Sequence, residues 1–240
     1  MQMWRFLMPG MLGFSLKQGT HMLIDRVTGA PPRTLRARDY VAQHARRNDP
    51  QDVLRTLDRF AREVRFLMSV GPDKGPLIAE LANQLPANAR VLELGAYCGY
   101  SAIMIATALG PQAHIVSIEI DADSVASASA NVAFAGLSEQ LSIVHGGSTE
   151  MIPTLEGPFD LVFLDHWKDL YRTDLQLIEA QGLLRPGSIV VADNVGKVFG
   201  AGPYLDYVRG CGRYVSENRR ATIEYTSIPD AVEISVYQPG

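Results

Sequence analysis

From Arg90 onward, short continuous apolar runs alternate with stretches whose apolar residues recur every three or four positions. The runs predict strands at 90–94, 113–118, 141–145, 161–165 and 188–193, and the stretches between them predict helices at about 100–109, 122–135, 149–154 and 171–182. Such alternation calls for parallel strands joined by right-handed crossovers. Past residue 200 the pattern changes to a helix near 201–209 and two strand-like runs, 213–217 and 231–237, which suit an antiparallel hairpin closing the sheet. Upstream, helices are expected over 36–47 and 50–68. In the second, Val53, Leu54, Leu57, Phe60, Ala61, Val64 and Leu67 share one face, behind a cap at Asn48 or Asp49 and Pro50 in the first turn. Gly71 is expected to stop that helix, residues 68–75 to form a turn, and Pro76 to start the next helix. The fold class implied is α/β: a Rossmann-like, mostly parallel sheet with helices on both faces and a C-terminal antiparallel hairpin.

Length and composition add limits. A chain of 240 residues with 47% hydrophobic and 20% charged residues can build one full core. The expected organisation is an N-terminal arm over 1–33, of unassigned role, and one domain over 34–240. A net charge of −4 gives no general attraction for nucleic acid, and none is expected as a partner. The charge is uneven, with 12 Lys/Arg against 6 Asp/Glu in residues 1–66 and the balance reversed beyond them, so a basic helical layer should lie on an acidic body. Cys98 and Cys211 fit neither a redox nor a zinc spacing and predict free thiols in a reducing compartment, with cytoplasm the simplest location. Apolar residues 1–16 are interrupted by Arg5, Pro9 and Gly10 and fall short of the roughly 20 residues a spanning helix needs, so no transmembrane segment is expected. A monomer is expected.

The chemistry gathers at strand ends, which in an open parallel sheet face one crevice. Gly95 and Gly99 end the first strand and allow backbone to approach a ligand, yet Tyr97 and Ser101 stand where a dinucleotide fingerprint needs further glycines. That disfavours a pyrophosphate, and with it a dehydrogenase. Glu119 lies 24 positions after Gly95, where an acid reads ribose hydroxyls. A nucleoside cofactor without pyrophosphate follows, and S-adenosylmethionine is the commonest one. Asp165, Asp193 and Asn194 form a hard oxygen set suited to Mg²⁺. Taken singly, either aspartate reads more readily as a helix cap or turn residue than as a ligand. Lys168 returns to the side of Asp165 if a helical turn begins there, and a lysine amine kept neutral beside a dication could take a proton. His166 reads as a contact of an adenine face or a satisfied polar residue, and Trp167 as a flat ring surface or core.

The runs LELGAYCGYSA (92–102), VFLDHWKD (162–169), GLLRPG (182–187) and VADNV (191–195) resemble catechol O-methyltransferases, over roughly residues 40–240. The resemblance implies a seven-stranded sheet, S-adenosylmethionine, Mg²⁺ and a small-molecule catechol substrate. It implies Val70, Glu93 and Ser101 at the methionine end of the cofactor, with Tyr97 and Tyr100 nearby and Met68 close to the sulfonium. Glu119 would hold the ribose, and Ile120, Gly146, Gly147, Ser148, His166 and Trp167 would surround the adenine. Asp165, Asp193 and Asn194 would bind the metal, Lys168 would be the base, and Glu224 would accept from the second catechol hydroxyl. Departures are visible. Phe66 stands where a tryptophan flanking the catechol is expected, and Thr149 replaces a glutamine. The 195–201 loop is one residue longer and lacks a proline gate, and the loop between Glu150 and Asp160 is shorter. The alternatives are a metal-dependent enzyme of bulkier phenols and a non-catalytic S-adenosylmethionine binder.

Overall fold

A computed structural model describes residues 11–240 except Val198. Residues 1–10 of the expected arm, and Val198 in the loop read as one residue longer, therefore lie outside the described residues. Seven strands form one sheet: β1 (Arg90–Leu94), β2 (His114–Glu119), β3 (Leu141–His145), β4 (Phe159–Leu164), β5 (Leu184–Ala192), β6 (Tyr214–Thr222) and β7 (Pro229–Tyr237). Their order is β3-β2-β1-β4-β5-β7-β6, with β1 to β5 parallel and β7 antiparallel to both β5 and β6. The chain leaves β1 toward β2 and β3 and then returns to the other side of β1 as β4. The point of reversal, between β1 and β4, is where a crevice must open. Strands β1 and β4 are buried along almost their whole length, which is why they read as continuous apolar runs.

One core layer lies under α2 (Arg33–His44), α3 (Pro50–Glu63), α4 (Gly71–Asn83), α5 (Tyr100–Leu109) and α6 (Ala122–Ala135), and is filled by Leu57, Phe60, Ile78, Ile103 and Phe163. The other lies under α8 (Tyr171–Ala180) and α9 (Gly202–Gly210), around Leu92, Val162, Tyr171, Leu175 and Tyr204. Helices cover both faces, as the alternation requires. A short α7 (Ser148–Met151) follows β3, and α1 (Met11–Thr28) precedes the rest.

Two of the differences from the sequence reading shape the site. Helix α3 is capped by the Asp49 side chain on the Asp52 amide, as expected, but ends at Glu63 rather than 68. Residues 65–68 run without regular structure, and Leu67 and Val70 are pressed into the core at 1% exposure. Burial of those two anchors outweighs the helical periodicity. The turn expected over 68–75 is instead the first part of α4, and Pro76 lies inside that helix rather than at its start. The helix begins at Gly71, whose φ of +63° and closeness to Glu224 suit glycine. What holds this turn in helical form is Lys74, as the site makes plain.

Candidate active site

Backbone pairing continues past the strand ends: the amide of Gly95 bonds Ile118, that of Asp165 bonds Leu94, and that of Asp193 bonds Leu164. The three predicted ends are thereby locked side by side around one cleft of about 1150 Å³. Gly95 has φ +103°, and a Cβ there would sit 2.8 Å from the Asp165 carbonyl oxygen, so only glycine lets these two strand ends approach.

The cleft wall includes Met68, Gly95, Tyr97, Glu119, Ile120, Gly146, Gly147, Ser148, Asp165, His166, Trp167, Lys168, Asn194 and Glu224. The sequence reading named all of them. Glu119 accepts from the amides of Tyr97 (2.8 Å) and Asp121 (2.9 Å), which fixes its carboxylate at the rim. Tyr97 reaches that position with a φ of +48°. Tyr100 does not reach the cleft: it is buried on α5 and its hydroxyl bonds Asp58 (3.3 Å). Glu93 and Ser101 lie just behind the wall. Glu93 is fully buried, takes a hydrogen bond from Ser117 on one oxygen, and leaves Oε1 buried without a partner. Burial pushes its carboxyl up to about 7, against the opposing Ser101 and Ser117 hydroxyls. An orphaned carboxylate oxygen is what an ammonium such as that of a methionine moiety would satisfy.

At the rim beyond β3, an acid absent from the sequence reading organises the wall. Asp174 on α8 is fully buried and accepts from His166 Nε2 (2.8 Å), Thr149 Oγ1 (2.7 Å) and Ser148 Oγ. Burial would raise its pKa, but these three donors outweigh it and hold the carboxyl below its usual value. One carboxylate thus fixes three cleft residues, two from the first turn of α7 and one from the segment after β4.

The acidic end contains the second residue the sequence reading missed. Lys74, 1% exposed, reaches from α4 to both oxygens of Asp193 (2.7 Å each), to Glu224 (2.7 Å) and to Asp230 (3.1 Å). Burial alone would lower its pKa, but the three carboxylates overcome this and hold it well above the ordinary lysine value. Asp230 also receives the Asn194 amide nitrogen (2.8 Å), which leaves the amide oxygen available to the cleft. Asn194 sits at φ +53°, a conformation asparagine tolerates. On the other side Lys168 donates to Asp165 (3.3 Å), the His166 carbonyl (3.2 Å) and the Tyr171 hydroxyl (2.9 Å), from the first residue of a 3₁₀ turn. The expected return of Lys168 toward Asp165 is therefore present.

The donor set fits a hard dication. Four carboxylates, Asp165, Asp193, Glu224 and Asp230, face two ammonium groups, Lys74 and Lys168, which leaves two negative charges unmatched. Burial, with Asp193 adding to it, drives the Asp165 carboxyl well above its normal value, and Lys168 offsets this only in part. Among the described residues no three His, Cys, Asp or Glu side chains form a cage. Two aspartates with an amide oxygen and open positions suit Mg²⁺, which keeps water or substrate oxygens.

The sequence model of the O-methyltransferase family matches residues 45–206, well over half of the chain. The chain belongs to the O-methyltransferase family. It is 41% identical over 212 residues to catechol O-methyltransferase B of Danio rerio, covering 86% of this chain and 78% of that protein. It is 39% identical to the transmembrane O-methyltransferase of Homo sapiens over 81% of this chain and 67% of that one. Among solved structures it resembles an O-methyltransferase of tomaymycin synthesis from Streptomyces achromogenes, in complex with S-adenosylmethionine, at TM-score 0.67 and 26% identity over 78% of this chain and 89% of that one. This is a catechol-O-methyltransferase-like class I methyltransferase that uses S-adenosylmethionine. Among the described residues, no helix of this O-methyltransferase is long and apolar enough to cross a membrane.

Proposed function

We propose that this O-methyltransferase moves the methyl group of S-adenosylmethionine to one hydroxyl of a catechol, with Mg²⁺ required and Lys168 as the base. The observation that carries the proposal is the pairing of a hard-oxygen end, Asp165, Asp193 and Asn194, with a lysine whose ammonium nitrogen stands 3.3 Å from the first of them. When bound, the dication lowers the pKa of a catechol hydroxyl and neutralises the surplus acid charge. Lys168 would act as the neutral amine, its ammonium first giving a proton to solvent; its free lone pair then takes the proton of the catechol hydroxyl, and the ammonium is restored. The oxygen attacks the methyl carbon in line, the carbon–sulfur bond breaks, and its electron pair stays on the neutral sulfur of S-adenosylhomocysteine. Glu224, fixed by Lys74, accepts a hydrogen bond from the second hydroxyl. Phe66, a cleft residue beside Glu224, gives the ring an apolar wall. Charge is neutralised in the step, so exclusion of water by the substrate ring against Phe66 would favour it.

Transfer of labelled methyl from S-adenosylmethionine to catechol, with Mg²⁺ and with excess chelator, tests the reading. Transfer that chelator abolishes is the expected result. Transfer unaffected by chelator would remove the metal from the proposal, and cofactor binding without transfer to any catechol would remove the substrate class.

A further inference from the structure

The acceptor end of the cleft has a wall that the methyltransferase motifs do not supply. On helix α1, Phe14, Ser15, Gln18, His21 and Asp25 are half-buried against the body, whereas Leu12, Leu16, Leu23 and Val27 are exposed. Asp25 accepts from Arg65 (3.0 Å) and Arg36 (3.1 Å), and Gln18 accepts from Arg33 (3.1 Å), which ties α1 to α2 and to the segment carrying Phe66. Phe14 then stands edge-on to Phe66 with ring centres 5.0 Å apart, and Phe66 edge-on to Tyr225. These contacts place Phe14 in the wall of the acceptor cleft.

Phe14 and Phe66 also line a second cavity, of about 430 Å³, behind them. Lys17, His21, Arg62 and Arg65 face it, with Glu63 as its one acid among the described residues. With Arg33 and Arg36 beside Asp25, five fixed cations stand against three carboxylates, Asp25, Glu63 and Asp58, the last bonded to the Tyr225 hydroxyl and within the field of Arg62. Arg65, Arg33 and Arg36 share Asp25; Arg62 lies over the Tyr225 ring at 5.0 Å without a carboxylate in ion-pair contact, and Lys17 has no ion-pair partner among the described residues. His21 Nδ1 is buried without a hydrogen-bond partner. Burial first, then the cations of Arg65, Lys17 and Arg33, push the His21 pKa down, so the surplus positive charge is felt inside the cavity. A buried ring nitrogen without a partner, at a cavity whose mouth carries the ammonium of Lys17 and the guanidinium of Arg62, suits an anion.

Resting on the catechol reading above, we propose that this recess is a subsite for the substrate's side chain, and that the preferred acceptors are catechols bearing a carboxylate on a short tail. The ring would lie against Phe66 with the tail passing Phe14 toward Lys17, His21 and Arg62. The arm of the chain would then set specificity in this enzyme.

The experiment compares kcat/KM for 3-(3,4-dihydroxyphenyl)propanoate and for its neutral amide, in the wild type and in Lys17→Met and Arg62→Met. Both side chains belong to exposed residues, so the variants should fold. The readout is the propanoate-to-amide ratio within each protein, which any general loss of activity leaves untouched. A ratio of about five to ten, carried by KM, is expected for two or three screened charge contacts. It should shrink between about 0.05 M and 0.5 M salt and fall toward one in the variants. A wild-type ratio near one, or a ratio the substitutions leave unchanged, overturns the subsite while leaving catechol methylation standing. Should no catechol be methylated, the catechol reading fails instead, and calorimetric binding of the same two compounds decides the subsite: equal affinities overturn it, and tighter propanoate binding lost in Lys17→Met upholds it.

Discussion

Replacing Lys74 by methionine removes one charge that three acids share. Its nitrogen lies 2.7 Å from each oxygen of Asp193 and from Glu224, and 3.1 Å from Asp230, and all four side chains are at most 6% exposed. Exchanging a whole buried ion pair for apolar groups can be neutral, but removing one partner strands the others without water, at a cost of about 3–5 kcal/mol. At about 2–4 °C per kcal/mol for a chain of this size, the melting temperature should drop by about 6–20 °C. A dication held by Asp165, Asp193 and Asn194 would restore part of the missing positive charge. Scanning calorimetry of the cofactor-free protein should therefore show a larger Mg²⁺-induced rise in Lys74→Met than in the wild type. The double variant with Asp230→Asn should recover part of the loss, because one stranded charge goes with it. A drop under about 2 °C, or an Mg²⁺ shift no larger than the wild type's, would refute the view that Lys74 balances these acids.

Three further outcomes follow from the site. Lys168→Ala should leave S-adenosylmethionine binding near normal by calorimetry and cut turnover by about two to four powers of ten; unchanged turnover would mean the base is elsewhere. Glu93, with a folded pKa near 7 against an ordinary 4.5, makes the cofactor-free fold bind more protons than the unfolded chain between those values. Its contribution to stability therefore falls as pH rises from about 4.5 to 7 and is flat above. Cofactor affinity should move the other way, tightening by up to about tenfold per pH unit below 7 as an ammonium stabilises the carboxylate; Glu93→Gln should flatten both profiles, and a pH slope that survives it would discount this carboxyl. In Gly95→Ala the added carbon meets the Asp165 carbonyl at 2.8 Å in left-handed backbone, so stability should fall by about 1–3 kcal/mol and cofactor affinity with it, measured by denaturant titration and calorimetry. Wild-type affinity in that variant would show that the strand ends can shift without harm.

The elements that carry the cleft were legible because each announces itself locally. Strands β1 and β4 are buried on both faces and read as unbroken apolar runs, and Gly95 and Asp165 mark where they stop. Parallel order then brings separate ends together without any further information. Lys74 was hidden for the opposite reason. Gly71-Pro72-Asp73-Lys74-Gly75-Pro76 has the composition of a turn, and only the acids arriving from β5 and the terminal hairpin, more than a hundred residues later, make a buried helical turn favourable. Asp230 and Asp174 lie in no motif, and their roles depend on partners from other elements. Phe14 sits in an arm whose local pattern names no purpose, and its place in the wall follows from Asp25 meeting arginines from two later segments.

Two lysines flank the same pair of aspartates, and their surroundings separate their roles. Lys74 has only buried acids around it and no path to solvent, so a proton leaving it would strand three carboxylates at once; its charge is part of the scaffold. Lys168 keeps 17% of its side chain exposed, lines the cleft, and is held by one carboxylate at 3.3 Å and two neutral oxygens. Exchanging a neutral acceptor for a substrate hydroxyl costs it little. On the proposed reading, the positive charge that must stay and the proton that must move fall to different residues: Lys74 alone could hold these acids and bind a metal, whereas the half-buried Lys168, which lines the cleft, is the one placed to exchange a proton with a substrate.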